Sequence, residues 1–157
     1  MYEENILKLF FKKKNTISVE NYIDVCLYSK HGYYKRSEIL GKKGDFITSP
    51  EISQLFGEIL GFFVYDFWKR KIKTSFNLIE LGPGKGTLLF DILRVTDNDK
   101  NFKNNLNLTL VEKNIKLAQA QKVLLKKCNL NFNKIKWLKN FNINNKQPVI
   151  IYANEFF

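Results

Sequence analysis

From residue 76 onward, short β-favouring runs alternate with helical ones, and this alternation constrains the chain more than any other feature. Phe76-Asn77-Leu78-Ile79-Glu80-Leu81 ends at glycines and is followed by Leu88, Leu89, Ile92 and Leu93 at helical spacing. Leu108-Thr109-Leu110-Val111-Glu112 reads as a second strand, with a helix after it that carries Leu117, Ala120, Leu124 and Cys128 on one face. Residues 134–137 form a weaker third strand and residues 148–153 a strong fourth, while residues 97–105 read as a polar loop. Strand–helix–strand order requires parallel pairing through right-handed crossovers, so the fold class is α/β with a Rossmann-like, doubly wound parallel sheet. Such a sheet needs both faces covered, and nothing after the fourth strand supplies a helix. The expectation is therefore a sheet truncated after its first four strands.

Residues 1–75 read as a helical N-terminal extension to the partial sheet domain of residues 76–157. Ser18 offers a capping oxygen for a helix with Val19, Tyr22, Ile23, Cys26 and Leu27 on one side. Thr48-Ser49-Pro50-Glu51 has the grammar of a second helix start: a capping hydroxyl, a proline in the first turn, and an acid at the positive end of the dipole. Ile52, Leu55, Phe56, Ile59, Phe63 and Phe67 then recur at three- and four-residue steps, which predicts that this face is buried. The cluster from Phe62-Phe63 to Trp68 is likewise assigned to the core.

Composition narrows the function classes. Apolar residues are 45% and aromatics 15%, enough for a packed core. The net charge of +11 comes mainly from residues 101–157, which hold ten lysines and no arginine against Glu112 and Glu155. Only Arg36, Arg70 and Arg94 are arginines, a poor match to a nucleic-acid surface built on arginine forks. Cys26 and Cys128 are two lone thiols among apolar neighbours, which suits a reducing compartment. No apolar run approaches the ~18 residues of a membrane span, and no His, Cys or acidic cluster has metal-ligand spacing. The acidic start Met1-Tyr2-Glu3-Glu4 lacks the base of a signal or transit peptide. The chain thus reads as soluble, bacterial-type and cytoplasmic.

Glu80-Leu81-Gly82-Pro83-Gly84-Lys85-Gly86-Thr87 stands at the first strand-to-helix junction. Glycines there allow close backbone approach to a ligand, and the helix beyond presents free amides. A Walker loop needs Ser or Thr after its lysine, whereas Gly86 follows Lys85; the dinucleotide fingerprint needs its third glycine one residue later. Gly-x-Gly-x-Gly after an acid-ended strand is the form that accepts S-adenosylmethionine (SAM). Glu112, at the tip of the neighbouring strand, faces the same crevice and can accept both ribose hydroxyls. Asn154 and Glu155 close the fourth strand at that crevice, where an amide and a carboxylate can hold a methyl-accepting nitrogen in line with the methyl group. Asp97-Asn98-Asp99-Lys100-Asn101 starts like a calcium loop but has Phe102 where glycine is needed. His31 has no partner set for zinc or a triad.

Two blocks together resemble the MidA-like methyltransferases. They are Gly44-Asp45-Phe46-Ile47-Thr48-Ser49-Pro50-Glu51-Ile52-Ser53-Gln54-Leu55-Phe56-Gly57-Glu58, and the Glu80 to Thr87 junction with Asp91-Ile92-Leu93-Arg94 after it. Gly32-Tyr33-Tyr34, Val111-Glu112 and Ala153-Asn154-Glu155-Phe156-Phe157 also fit. The resemblance implies a class I SAM-dependent methyltransferase fold and protein-arginine methylation of the respiratory complex I assembly type, with a complex I subunit as substrate. It implies that Gly82, Pro83, Gly84 and Gly86 hold the methionine moiety, that Glu80 anchors its amino group, and that Glu112 binds the ribose. Asp45, Thr48 and Ser49 would lie on a lid segment, residues 44–58. Trp137-Leu138-Lys139 departs from the usual pattern by offering no acid to the adenine amine. Glu155 is the candidate for taking the proton from arginine, Asn154 for orienting it, and Asp45 is a second candidate base. Two other readings stay open: an RNA methyltransferase or nucleic-acid-binding module, suggested by the basic last third, and a non-catalytic SAM-binding assembly factor.

Overall fold

The computed structural model describes residues 8, 16–29, 32, 53–142 and 146–156. Contacts divide the chain into two units, Met1–Phe46 and Ile47–Phe157. In the first, helix α1 (Val19–Tyr28) begins where Ser18 accepts the Asn21 amide hydrogen, as its hydroxyl predicts. The start at Thr48-Ser49-Pro50-Glu51 lies outside the described residues.

The second unit carries α2 (Gln54–Phe67), which widens into a short π-helical turn over Trp68–Ile72. Then follow β1 (Phe76–Leu81), α3 (Thr87–Val95), α4 (Lys100–Asn105), β2 (Leu106–Val111), α5 (Ile115–Leu125), β3 (Ile135–Leu138) and β4 (Val149–Ala153). The four strands form one parallel sheet in the order β3-β2-β1-β4. Strand β1 is interior to the sheet and its first five residues are buried, the polar Asn77 and Glu80 among them. The core gathers Phe76, Leu78, Leu89, Ile92, Phe102, Leu110 and Leu125, with Trp68 set edge-on to Phe102 at 5.1 Å.

Three expectations are corrected. Residues 97–105 are not all loop: Asp99 accepts the Phe102 amide hydrogen at 2.9 Å and caps α4, whose Phe102 is fully buried. On α5 the buried stripe runs through Gln121 and Leu125, while Ala120 is exposed. The largest departure is α2. Leu55, Phe56, Ile59, Phe63 and Phe67 are exposed, with Phe62 at 62% and Phe63 at 70%, whereas Gly57, Gly61, Val64 and Trp68 are buried. The reason is backbone proximity. A Cβ at Gly61 would lie 2.8 Å from the Ile92 carbonyl oxygen, so only the glycine side lets α2 approach α3 this closely. Arg94 ties the same pair of helices together, bonding Glu58 at 3.0 Å and Asp91 at 3.1 Å.

Candidate functional site

The parallel register aligns the carboxyl ends of three strands: Leu81 pairs with Val111 on one side and Ala153 on the other. Strand β1 sends its connection to β2 and receives β4 on its other edge, so the order reverses beside β1. In open α/β sheets the ligand crevice forms at that point, outside the strand ends.

The glycine turn is built by three left-handed residues, Gly82 (φ 65°), Gly84 (φ 56°) and Gly86 (φ 83°), a conformation that side chains rarely adopt. The Gly82 amide donates to the Val111 carbonyl at 3.0 Å and the Gly86 amide to the Pro83 carbonyl at 2.8 Å, locking both ends of the turn. Gly86 is the N-cap of α3 and provides no side-chain cap, which is the arrangement that leaves first-turn amides for an anionic or polar ligand.

Glu112 follows β2 directly. Its Oε1 accepts the Asn114 amide hydrogen at 2.8 Å and its Oε2 lies 3.4 Å from Gln121 Nε2. The same Gln121 nitrogen donates to the Gly84 carbonyl at 2.7 Å. The acid and the glycine turn therefore share one partner and face one crevice. Burial pushes the Glu112 carboxyl above its ordinary range, against the pull of the Asn114 and Gln121 hydrogen bonds.

Glu80 occupies the penultimate position of β1, between Leu110 on β2 and Tyr152 on β4. It is buried, and loss of water raises its pKa to about 8; the Tyr152 hydroxyl favours the charged form and Glu112 opposes it. Neither Glu80 Oε2 nor the Tyr152 hydroxyl has a hydrogen-bond partner in good geometry. A buried carboxyl with an unused oxygen at the base of the turn is the chemistry that receives an ammonium group.

Asn154 and Glu155 continue from β4 at the same end of the sheet. Asn154 is half-buried; Glu155 is exposed and held at φ 51°, a left-handed conformation uncommon outside glycine. Phe156 folds back so that its ring covers Gly82. Asp45, Thr48 and Ser49 lie outside the described residues. Among the described residues there is no cluster of metal-binding side chains, and no helix is long and apolar enough to cross a membrane.

Sequence reasoning missed Gln121, Trp137 and Tyr152. Gln121 could have been found: it sits four residues from both Leu117 and Leu125, on the stripe that a helix of this kind buries. Its oxygen accepts the Trp137 indole hydrogen at 3.0 Å, so β3 contributes to the site although it carries no acid.

Residues 59–157 match the model of an S-adenosyl-L-methionine-dependent methyltransferase family. The chain is 47% identical over 125 residues to the human mitochondrial protein arginine methyltransferase NDUFAF7, covering 76% of this chain and 28% of that protein. The Drosophila melanogaster homolog is 40% identical over 109 residues, covering 68% of this chain and 25% of its own length. The chain thus spans about a quarter of the length of these relatives. A Burkholderia thailandensis member of the COG1565 superfamily, crystallised with S-adenosyl-homocysteine, shares the fold at a TM-score of 0.69 and 21% identity, covering 92% of this chain and 38% of that one.

These relatives overturn one expectation. The acidic N-terminus suggests a cytoplasmic protein, but the matched proteins are named mitochondrial. The first residues of a chain spanning a quarter of its relatives carry no information about compartment. The fold and the resemblance to MidA-like enzymes agree with the comparisons, and the chain belongs to the S-adenosyl-L-methionine-dependent methyltransferase family that its residues 59–157 match.

Proposed function

We propose that this chain forms the cofactor-binding part of a SAM-dependent protein-arginine methyltransferase. The observation that carries the reading is the shared Gln121 contact, which puts the Gly84 turn and the Glu112 carboxylate on one crevice. The turn of Gly82, Pro83, Gly84 and Gly86 would receive the methionine moiety, Glu80 its ammonium, and Glu112 the ribose hydroxyls. The orphaned Glu80 oxygen supports the fit, because a cation beside it would supply the missing donor and stabilise the charged carboxylate.

SAM, when bound, supplies an electrophilic methyl group on a sulfonium. The rest of the reaction falls to the chain. An arginine guanidinium has a pKa above ~12 and holds its proton in water, so the site must orient it and take the proton as the C–N bond forms. Glu155 takes that role, with Asn154 orienting the nitrogen; both follow the strand adjacent to the glycine turn. The names of the relatives support an arginine of a mitochondrial protein as acceptor, and a respiratory complex I subunit is the substrate proposed.

The test is transfer of a labelled methyl group from SAM to arginine in mitochondrial protein, using the full-length protein. Methylarginine lost in Glu155→Gln while SAM binding persists supports the assignment. Unchanged turnover in that variant removes Glu155 from the chemistry, and label on RNA alone removes the arginine reading.

A further inference from the structure

Gln121 is fully buried, yet it is a polar residue in the middle of a helix. Such a group persists where every polar atom is used. Here the amide nitrogen serves Gly84 and Glu112 from two N–H groups, and the amide oxygen takes the Trp137 indole hydrogen. The side chain also packs under the turn, since a Cβ on Gly86 would lie 3.2 Å from Gln121 Cγ.

An amide can be placed two ways round, and Trp137 decides which. Indole N–H is a donor only, so the amide oxygen must face it. The nitrogen then faces the Gly84 carbonyl and the Glu112 carboxylate, both acceptors. With the amide reversed, three acceptors would crowd together and two donors would meet at Trp137. Trp137 is itself fixed by Phe132, whose ring lies 6.4 Å away in a stacked arrangement, and by Lys122 Nζ, 5.1 Å from the indole centroid.

We infer that Gln121, oriented by Trp137, is the positioning residue that presets the crevice for its nucleoside ligand by fixing the Gly84 peptide and the Glu112 carboxylate in one geometry. Neither residue is asked to touch the ligand. Oε1 is held by the Asn114 amide and Oε2 by Gln121, so the carboxylate is fixed in orientation beside the turn. Ordering both before binding removes a cost the ligand would otherwise bear. This inference rests on the SAM reading above.

Calorimetric titration with SAM and with S-adenosyl-homocysteine tests it. Gln121→Met keeps the volume and removes the hydrogen bonds, and should weaken both ligands about tenfold or more, since a hydrogen bond to a charged acceptor is lost. Trp137→Phe keeps an aromatic ring but removes the indole donor, and should weaken them about threefold or more. Because Trp137 acts through Gln121, the double variant should bind no worse than Gln121→Met alone. Losses that multiply independently, or native affinity in Gln121→Met, overturn the inference while leaving the SAM reading intact. A native protein that takes up neither ligand overturns both.

Should Gln121→Met fail to fold, Gln121→Glu decides the matter. A neutral carboxyl can still donate one hydrogen, whereas an ionised one repels the Gly84 carbonyl and Glu112. The affinity of Gln121→Glu relative to native should therefore fall between pH 5.5 and pH 8, and a ratio independent of pH overturns the inference.

Discussion

A Cβ placed on Gly57 would lie 2.5 Å from the Cβ of Asp91, so α2 and α3 meet where neither can tolerate another atom. The missing methyl group on one helix is what seats the other. Gly61, one turn later, repeats the arrangement against Ile92.

Gly57→Ala and Gly61→Ala should therefore each destabilise the protein by about 1–3 kcal/mol, the usual cost of overpacking, even though alanine is the better helix former. Phe62→Ser and Phe63→Ser, on the exposed side of the same helix, should change stability by no more than about 0.5 kcal/mol. Urea denaturation of the four variants measures both. The reverse ranking would show that the phenylalanine face is the one packed.

Gly82 combines a left-handed backbone with the Phe156 ring, which a Cβ would approach to 2.5 Å at Cδ2. Phe156 is half exposed and can swing aside, so the backbone term dominates. Gly82→Ala should cost about 1–2 kcal/mol, as expected for forcing a side chain into that region. Phe156→Ala in the Gly82→Ala background should recover little of this, and full recovery would show that the ring clash was the whole effect.

Glu80 makes the stability of the ligand-free protein depend on pH. Its folded pKa is raised to about 8 from an ordinary 4.5. The folded state therefore keeps a proton that the unfolded chain releases, and the associated stability is intact below about pH 4.5 and is lost as pH rises toward 8. The slope is at most about 1.4 kcal/mol per pH unit. Thermal midpoints of native protein and Glu80→Gln, followed from pH 5 to 8.5, should diverge in favour of the glutamine variant. Parallel curves would mean that Glu80 is already charged. Uptake of SAM at pH 7 should release a proton from native protein but not from Glu80→Gln, which calorimetry in buffers of different ionisation enthalpy detects.

Asn77 and Thr109 exchange two hydrogen bonds, both 3.1 Å, across β1 and β2 in the buried sheet. Thr109→Val preserves shape but leaves the amide without either bond, and should cost about 1–3 kcal/mol. Thr109→Ser should keep most of that stability. Chemical denaturation of the two variants separates the hydrogen bond from the lost methyl group.

The parallel α/β sheet, the glycine turn and the acid on the next strand are legible in the chain's residue order, because each depends on local pattern. A strand followed by glycines and a helix has few ways to fold, and consecutive crossovers fix where the strand ends lie. Two features arise from long-range packing. Helix α2 is apolar on both sides, so periodicity marked an apolar face without saying which side would dock; the close crossing at Gly57 and Gly61 chose the other one. Gln121 binds a carbonyl 37 residues away and an indole 16 residues away. A glutamine in a helix announces neither partner, since buried hydrogen bonds follow from which groups the fold brings within reach and leaves without water.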